Sequence, residues 1–197
     1  MEGKENNEYT IKILFIGEPK VGKTCILSTY LSNKPLVVNE TNSYKPSVGV
    51  NFSKKEIETN GNKIDLKLYD ISGQERFSNL IPEYSRFVDG VFIVYDITQK
   101  QSFQEVPKHF NYLGIKSIPI ILLGNKNDLE AEREISKDEG EKKAEEIQIS
   151  FYETSATDKD SISKVFDDMI KKIIIQKIEK EKEGEKEEKK CDCCSLF

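Results

Sequence analysis

Short apolar runs alternate with amphipathic stretches along most of this chain. The runs at 90–97 and 118–124, GVFIVYDI and IPIILLG, are almost free of charged residues, as expected of central strands that are buried on both faces of a sheet. A further buried strand is predicted at 10–16. Buried strands that alternate with helical segments predict an α/β domain built on a parallel sheet.

Three other strands are predicted at 49–58, 63–69 and 149–153. The first two are joined by Asn60-Gly61, the dipeptide that favours a type I′ hairpin turn. The second alternates as KIDLKLY, which predicts one buried face and one exposed face.

Helices are predicted at 23–32, 78–88, 101–113, 136–147 and 161–182. Pro107 predicts that the first part of 101–113 is irregular or that this helix starts late. The segment 33–47 contains two prolines and many turn formers, so it is predicted to be a loop. Beyond Gln176 the Lys/Glu mixture has few apolar anchors, and the last helix is predicted to fray there into a disordered tail.

Composition limits the number of domains and the class of partner. The 197 residues suit one domain, which we place at 9–175, between a flexible N-terminus at 1–8 and a disordered tail at 176–197. The net charge of −5 and the lack of a basic stripe argue against nucleic-acid binding. The N-terminus has no apolar core for a signal peptide, so we expect the protein to stay in the cytosol.

The cysteines argue against a disulfide framework, because Cys191, Cys193 and Cys194 crowd into the C-terminus. A metal cluster there would need another ligand, and the sole histidine, His109, lies far upstream. We expect His109 on the surface of a helix, and Cys25 as a small buried apolar residue.

The octapeptide GEPKVGKT at 17–24 matches the pattern G-x-x-x-x-G-K-[ST] between a predicted strand and a predicted helix. In that context the main-chain N–H groups of a tight turn and of the helix N-terminus converge on phosphates. Lys23 is predicted to reach the β- and γ-phosphates, and the Thr24 hydroxyl to ligate Mg²⁺. The residues predicted to contact the nucleotide here are Gly17, Lys20, Val21, Gly22, Lys23, Thr24 and Cys25.

The segment LYDISGQE places Asp70 at the end of a predicted strand, where its carboxylate can hold the Mg²⁺ shell. Gly73 lets a main-chain N–H approach a terminal phosphate. Gln74 can orient a water in line with that phosphate, so it is the candidate catalytic residue.

The segment GNKND places Asn125, Lys126 and Asp128 just after a buried strand, with Leu129 next to them. Ligands of open α/β sheets bind at this edge. Asp128 would accept hydrogen bonds from the N1–H and the amine of guanine. Adenine offers neither donor there, and such a site can discriminate by roughly 10⁴-fold, which favours GTP over ATP.

The tetrapeptide ETSA at 153–156 follows the last predicted strand at the same edge. It places Ser155 beside the base, and the main-chain N–H of Ala156 could meet the guanine O6. Together with VYDIT, GQERF and VGVNF, these motifs resemble the small GTPases of the Ras superfamily, most closely the Rab branch. The likeness covers about residues 9–175.

The resemblance implies a three-layer P-loop GTPase fold, with a six-stranded, mostly parallel sheet, one antiparallel edge strand and helices on both faces. It implies GTP/GDP and Mg²⁺ as ligands, and slow hydrolysis of GTP to GDP in a molecular switch. Ser47 takes the switch position whose hydroxyl ligates Mg²⁺ when GTP is bound, where threonine is usual. Tyr44 would close over the phosphates.

The sequence departs from the family pattern in both switch segments and in the phosphate loop. The first switch loop is long and offers Leu36, Val37 and Val38 where the family has an aromatic on the base, so we expect faster nucleotide exchange. Pro19 lies where side chains meet an arginine finger, and predicts weaker stimulation by an activating protein. Lys20 occupies a position that favours a positive φ, which costs about 1 kcal/mol.

The C-terminus CSLF fits a C-a-a-X box on Cys194, with Phe favouring a geranylgeranyl group. Stable anchoring needs two signals, and the tail from 176 to 190 balances six Lys against six Glu. Cys193 is therefore the predicted second lipid site, and Cys191 a candidate for palmitoylation. The alternative is an inert tail with reactive thiols.

These features predict a Rab-like switch in vesicle trafficking, anchored to the cytoplasmic face of endomembranes and accompanied by a cytosolic pool. Its expected partners are an exchange factor, a GTPase-activating protein, effectors, and a GDP-dissociation inhibitor or prenylation escort. Three alternatives remain: a nucleotide-binding scaffold with poor hydrolysis, a Ras-like signalling GTPase, and a P-loop kinase or ATPase. The last would leave GNKND and the tail cysteines unexplained.

Overall fold

The computed structural model describes residues 8–32, 34, 49–59, 62–114 and 117–192, with side chains described to Lys180. Within these ranges the strands are β1 Glu8–Ile16, β2 Val50–Thr59, β3 Asn62–Ile71, β4 Gly90–Asp96, β5 Ile120–Asn125 and β6 Ser150–Glu153. The helices are α1 Lys23–Ser32, α2 Leu80–Tyr84, α3 Lys100–Gln104, α4 Val106–Leu113, α5 Lys137–Glu146 and α6 Lys159–Asp192.

The six strands form one sheet in the order β2-β3-β1-β4-β5-β6. Every neighbouring pair is parallel except β2 and β3, which pair antiparallel with Thr59 opposite Asn62. The predicted hairpin and the mostly parallel sheet with an antiparallel edge strand are therefore confirmed, although Asn60 and Gly61 lie outside the described residues.

Helices cover both faces of the sheet, because alternate residues of each strand point to opposite sides. On one face Ile11, Ile13 and Phe15 of β1 pack with α1 and α6. On the other face Leu14 and Ile16 pack with buried residues of α2, α4 and α5. The three-layer architecture expected of a P-loop GTPase is thus confirmed, with an apolar layer on each face of the sheet.

The region after β3 is less helical than predicted, since α2 covers only Leu80–Tyr84 of the expected 78–88. A 3-10 turn at Glu75–Phe77 precedes it. Beyond α2 the Ser85 hydroxyl donates to the Pro82 carbonyl, 3.0 Å away, and competes with regular helix bonding. The chain then turns so that Val88 enters the core.

The predicted irregularity near Pro107 is confirmed as a break at Glu105 between α3 and α4. Pro107 lies in the first turn of α4, where its missing N–H removes no helical hydrogen bond. The break allows α4 to take its own direction along the edge of the site described below.

The last helix differs from the prediction of a tail that frays beyond Gln176, because α6 continues to Asp192. Lys and Glu are strong helix formers and support one another when three or four residues apart, so this composition sustains a helix that has few apolar residues. Among the described residues no helix is long and apolar enough to cross a membrane. The domain boundary at residue 175 stays a prediction.

Candidate functional site

The four sequence motifs meet at one edge of the sheet. The octapeptide follows β1, Asp70 lies near the end of β3, Asn125 ends β5 and ETSA begins at the end of β6. These strands are parallel, so their carboxyl ends lie side by side.

The loop between β1 and α1 is a tight turn held against Asn125, the last residue of β5. Lys20 has a φ of 68°, the positive value expected for this position. A Cβ on Gly22 would collide with the side-chain amide of Asn125, so only glycine allows this approach. The same amide donates to the Val21 carbonyl over 2.7 Å. The loop is therefore positioned by a residue more than a hundred positions later in the chain.

Lys23 places an ammonium group inside this loop, where its side chain is buried. It donates to the main-chain carbonyls of Gly17 and Glu18, over 2.7 and 2.9 Å. Burial lowers the pKa of Lys23 to about 8, and the charges of Asp70 and Glu18 oppose that shift. Within the described residues no carboxylate lies within ion-pair distance of the ammonium, so an anion such as phosphate would complete its environment.

Asp70 faces Thr24 across the same pocket. The Thr24 hydroxyl donates to Oδ2 of Asp70 over 2.5 Å, while Oδ1 is buried and accepts no hydrogen bond from the described residues. Burial raises the pKa of Asp70, against the opposing effects of Thr24 and Lys23. The pocket, of about 30 Å³, is also lined by Gly73 and Gln74. An orphaned carboxylate oxygen beside a hydroxyl is a donor set that suits a hard divalent cation.

Gly73 and Gln74 connect this pocket to the region after β3. A Cβ on Gly73 would collide with the main chain of Glu18 and Pro19, so the two loops touch. The Gln74 side chain is half-buried, and its Oε1 accepts a hydrogen bond from Arg76 Nε at 2.9 Å.

The loops after β5 and β6 form a second group of interlocked side chains. Lys126, with a φ of 70°, pairs its ammonium with the buried carboxylate of Asp96 at 2.5 Å. The Ser155 hydroxyl donates to the Asp128 carboxylate. The Thr29 hydroxyl of α1 donates to the Ala156 carbonyl over 2.6 Å. These contacts hold the loops that follow β5 and β6 next to α1.

Comparison with known proteins identifies the family of this chain. The model of the Ras family matches residues 12–175. The chain belongs to the Ras family. It is 33% identical over 172 residues to Ras-related protein Rab-13 of Bos taurus, covering 86% of this chain and 82% of the relative. It is 34% identical over 179 residues to GTP-binding protein ypt2 of Schizosaccharomyces pombe, covering 89% and 87%.

A third relative, Ras-related protein Rab-15 of Homo sapiens, is 34% identical over 176 residues, covering 88% of this chain and 80% of the relative. The chain is thus a divergent, Rab-like member of the Ras family, and the predicted resemblance is confirmed. Members of this family bind guanine nucleotide and hydrolyse GTP, so the chain is a GTPase.

The structure of this GTPase brings most of the predicted site residues to one edge of the sheet. Val21 is fully buried below the loop, and Leu129 is 36% exposed beside the base-side loops. Cys25 is half-buried rather than buried, and that burial raises the pKa of its thiol. Leu36, Val37, Val38, Tyr44, Ser47, Cys193 and Cys194 lie outside the described residues, and of Cys191 only the backbone is described.

The sequence analysis of this GTPase did not identify three functional candidates, which are Asp96, His109 and Glu18. Asp96 ends a buried strand, which was a usable signal, yet its pairing with Lys126 depends on the sheet order. His109 was predicted on a helix surface, and that prediction is wrong: the residue is 5% exposed on α4. Its Nε2 lies 3.0 Å from Oε1 of Glu18, because α4 packs beside the phosphate loop.

Proposed function

We propose that this GTPase is a Mg²⁺-dependent molecular switch of the Rab type, with its GTPase domain at 9–175. The observation that carries the proposal is the pocket between Lys23 and Asp70. It pairs a buried ammonium that has no carboxylate partner with a buried carboxylate oxygen that accepts no hydrogen bond from the described residues. A phosphate and a divalent cation together would satisfy both groups.

The phosphate side of the site is proposed to work through positions that the chain already fixes. Lys23 and the main-chain N–H groups of residues 17–25 would bind the β- and γ-phosphates. Thr24, Ser47 and Asp70 would hold Mg²⁺, which supplies charge neutralisation on the phosphate oxygens. Gly73 would present its N–H to the γ-phosphate, Tyr44 would cover the phosphates, and Gln74 would orient the attacking water.

Base selection is proposed for the second group of loops. Asp128 would accept from the N1–H and amine of guanine, and the Ala156 N–H would donate to O6. Ser155 already holds the Asp128 carboxylate, so that acceptor is oriented before the base arrives. Asn125, Lys126 and Leu129 would complete the walls of the base pocket.

The partner-reading surface is proposed to lie on β2, β3 and the segment after α2. Four aromatic rings form a continuous cluster there, with ring centroids of neighbouring pairs 5.2 to 5.7 Å apart. They are Phe52, Tyr69, Tyr84 and Phe87. Phe52 is 50% exposed and Phe87 is 43% exposed, and exposed aromatic clusters are typical of protein interfaces.

Two members of this aromatic cluster, Tyr84 and Phe87, follow the Gly73–Gln74 segment in the chain, and Tyr69 precedes it by four residues, so an ordered γ-phosphate contact would change the surroundings of the cluster. We propose that effectors and the activating protein bind here in the GTP state. An exchange factor and a GDP-dissociation inhibitor or prenylation escort are the other proposed partners.

Membrane attachment is proposed through geranylgeranyl groups on Cys193 and Cys194, with Cys191 as a palmitoylation candidate. The Rab and ypt names of the relatives support a role in vesicle trafficking on the cytoplasmic face of endomembranes, with a cytosolic pool. Incubation of the full chain with geranylgeranyl diphosphate and transferase should label wild type, and Cys193→Ser with Cys194→Ser should abolish labelling.

A second candidate function is a nucleotide-dependent scaffold with poor hydrolysis. It is favoured by the Gln74 side chain, whose Oε1 already accepts a hydrogen bond from Arg76, and by Pro19, which lines the same pocket as Gln74. In this reading the switch depends on nucleotide exchange more than on turnover.

Single-turnover assays with GTP and ATP, with and without Mg²⁺, separate the two functions. We expect Mg²⁺-dependent turnover of GTP alone, a loss of at least about tenfold in Gln74→Leu, and no change in the matched surface control Gln104→Leu. GTP binding without turnover in wild type would support the scaffold. Equal stimulation of wild type and Pro19→Gly by an activating protein would refute the role given to Pro19.

A further inference from the structure

We propose that His109 is a positioning residue of the phosphate loop. It holds the side chain of Glu18, and thereby fixes the main chain that contacts Lys23 and Gly73. The inference rests on the proposed function, because it concerns the γ-phosphate step of the same site. It assigns a role to the only histidine of the chain.

The contact between His109 and Glu18 joins two distant parts of the fold. His109 lies on α4 with a side chain that is 7% exposed, and its Nε2 is 3.0 Å from Oε1 of Glu18. The two residues are 91 positions apart. Nδ1 is buried and has no hydrogen-bond partner among the described residues. Within these residues, the Glu18 carboxylate is therefore the only hydrogen-bond acceptor for the ring. The N–H is accordingly assigned to Nε2.

Glu18 touches both groups that would respond to the γ-phosphate. Its carbonyl accepts the Lys23 ammonium at 2.9 Å. Its main-chain carbon and the Pro19 nitrogen are the atoms against which Gly73 packs, closely enough to exclude any side chain at residue 73. A shift of Glu18 would therefore move the carbonyl that orients Lys23 and the surface that positions Gly73 at the same time.

The charge of Glu18 makes its orientation important. A carboxylate in a phosphate loop repels phosphate unless it is turned away and held. The hydrogen bond from His109 is the main cause of the lowered pKa of Glu18, with burial acting against it, so the group stays ionised. Lys108 and Lys23 are the cations whose charges act on Glu18, and Glu75, Glu105 and Tyr112 share its pocket.

A pocket of about 270 Å³ lies beside the His109 ring and is lined in part by Gly73, Gln74 and Ser78. This space accommodates a side chain of similar size at position 109. Two substitutions then divide the role of the ring: His109→Phe keeps an aromatic ring and loses the donor, whereas His109→Gln keeps an N–H donor at a similar reach.

The test uses the full chain and compares single-turnover GTP hydrolysis with the affinities for GDP and for a non-hydrolysable GTP analogue. His109→Phe is expected to slow hydrolysis and to weaken analogue binding by about five- to tenfold, while GDP affinity changes by less than about twofold. His109→Gln should restore both to within about twofold of wild type. Glu18→Leu, which removes the acceptor, should reproduce the loss, and the double variant with His109→Phe should lose no more than either single one.

Tyr112→Phe is the matched control, because Tyr112 is the neighbouring ring on α4, with its centroid 6.3 Å from that of His109, and the substitution keeps this ring while leaving the His109–Glu18 contact in place. Equal losses for GDP and the analogue, or no loss in His109→Phe, would overturn the proposal. If His109→Phe fails to fold, Glu18→Leu and His109→Gln give the same comparison. Absence of hydrolysis in wild type would instead refute the proposed function. The ratio of analogue affinity to GDP affinity would still test the positioning role of His109.

Discussion

The two halves of the site differ in how far the protein alone satisfies its charged groups. On the base side Asp128 accepts from Ser155, and Lys126 pairs with Asp96. On the phosphate side Lys23 is a buried cation without a carboxylate partner in the described part of the chain, and Oδ1 of Asp70 accepts no hydrogen bond there.

This difference assigns different tasks to the two halves. The side chains of the proposed base side already contact one another, so this half would select among bases at little cost in reorganisation. The proposed phosphate side holds charges that are only partly compensated, which costs free energy that a bound phosphate and a cation would recover. We therefore expect affinity to depend mainly on the phosphates, and specificity mainly on Asp128.

Lys23→Met is predicted to have the largest effect. It keeps the length of the side chain and removes the ammonium, so the affinities for GTP and GDP should both fall by about 1000-fold, or about 4 kcal/mol. The nucleotide-free protein should not lose thermal stability, because the buried cation is no longer present. Calorimetric binding and melting curves would measure both quantities.

Lys20→Ala is the matched control for Lys23→Met, since Lys20 is exposed and contributes its main chain to the loop. Its nucleotide affinity should stay within about threefold of wild type. A clear loss of stability in nucleotide-free Lys23→Met would show that the phosphate side is already satisfied without ligand.

Asp128→Asn is predicted to have the next largest effect, and it tests the base side. The amide keeps the shape and loses the charge, so GTP affinity should fall by about 100-fold while ATP binding changes little. Competition binding against a labelled GDP would measure the ratio. Glu132→Gln, an exposed carboxylate after the same strand, should leave that ratio unchanged. An unchanged ratio in Asp128→Asn would remove Asp128 from base selection.

Lys20→Gly tests the strain of the phosphate loop. The φ of 68° penalises any residue with a Cβ, so this change should stabilise the protein by about 1 kcal/mol. Lys142→Gly, on an exposed position of α5, should instead destabilise it by about 1 kcal/mol. Urea unfolding of the GDP-bound proteins would compare them. If both substitutions changed the free energy of unfolding in the same direction, the proposed strain at Lys20 would be contradicted.

Glu18→Gln gives the smallest expected effect on stability, below about 1 kcal/mol for this partly exposed pair. The hydrogen bond from His109 lowers the pKa of Glu18 in the folded state from its ordinary value of 4.5. Its contribution is therefore present above pH 4.5 and is lost as the pH falls through the lowered pKa. Melting temperatures of wild type and Glu18→Gln should differ at pH 6 and converge in acid. A difference in melting temperature that does not change with pH would contradict this explanation.

Local features of the sequence predicted most of the fold and most of the candidate site. The strands agreed to within about two residues, because β-propensity and alternation are local signals. The helix after β3 was predicted too long, since Ser85 and the burial of Val88 end it early. Helix α6 was predicted too short, because helix propensity outweighed the scarcity of apolar residues beyond Gln176.

The sequence by itself determined which segments form the candidate phosphate and guanine site, because spacing within a motif sets the geometry of a strand, turn and helix. Only the tertiary structure decided which distant side chains hold those motifs in place. Asp96 reaches Lys126, Ser155 reaches Asp128 and His109 reaches Glu18 across 30, 27 and 91 residues. These pairs depend on the sheet order and on helix packing, which bring together residues that no local pattern connects.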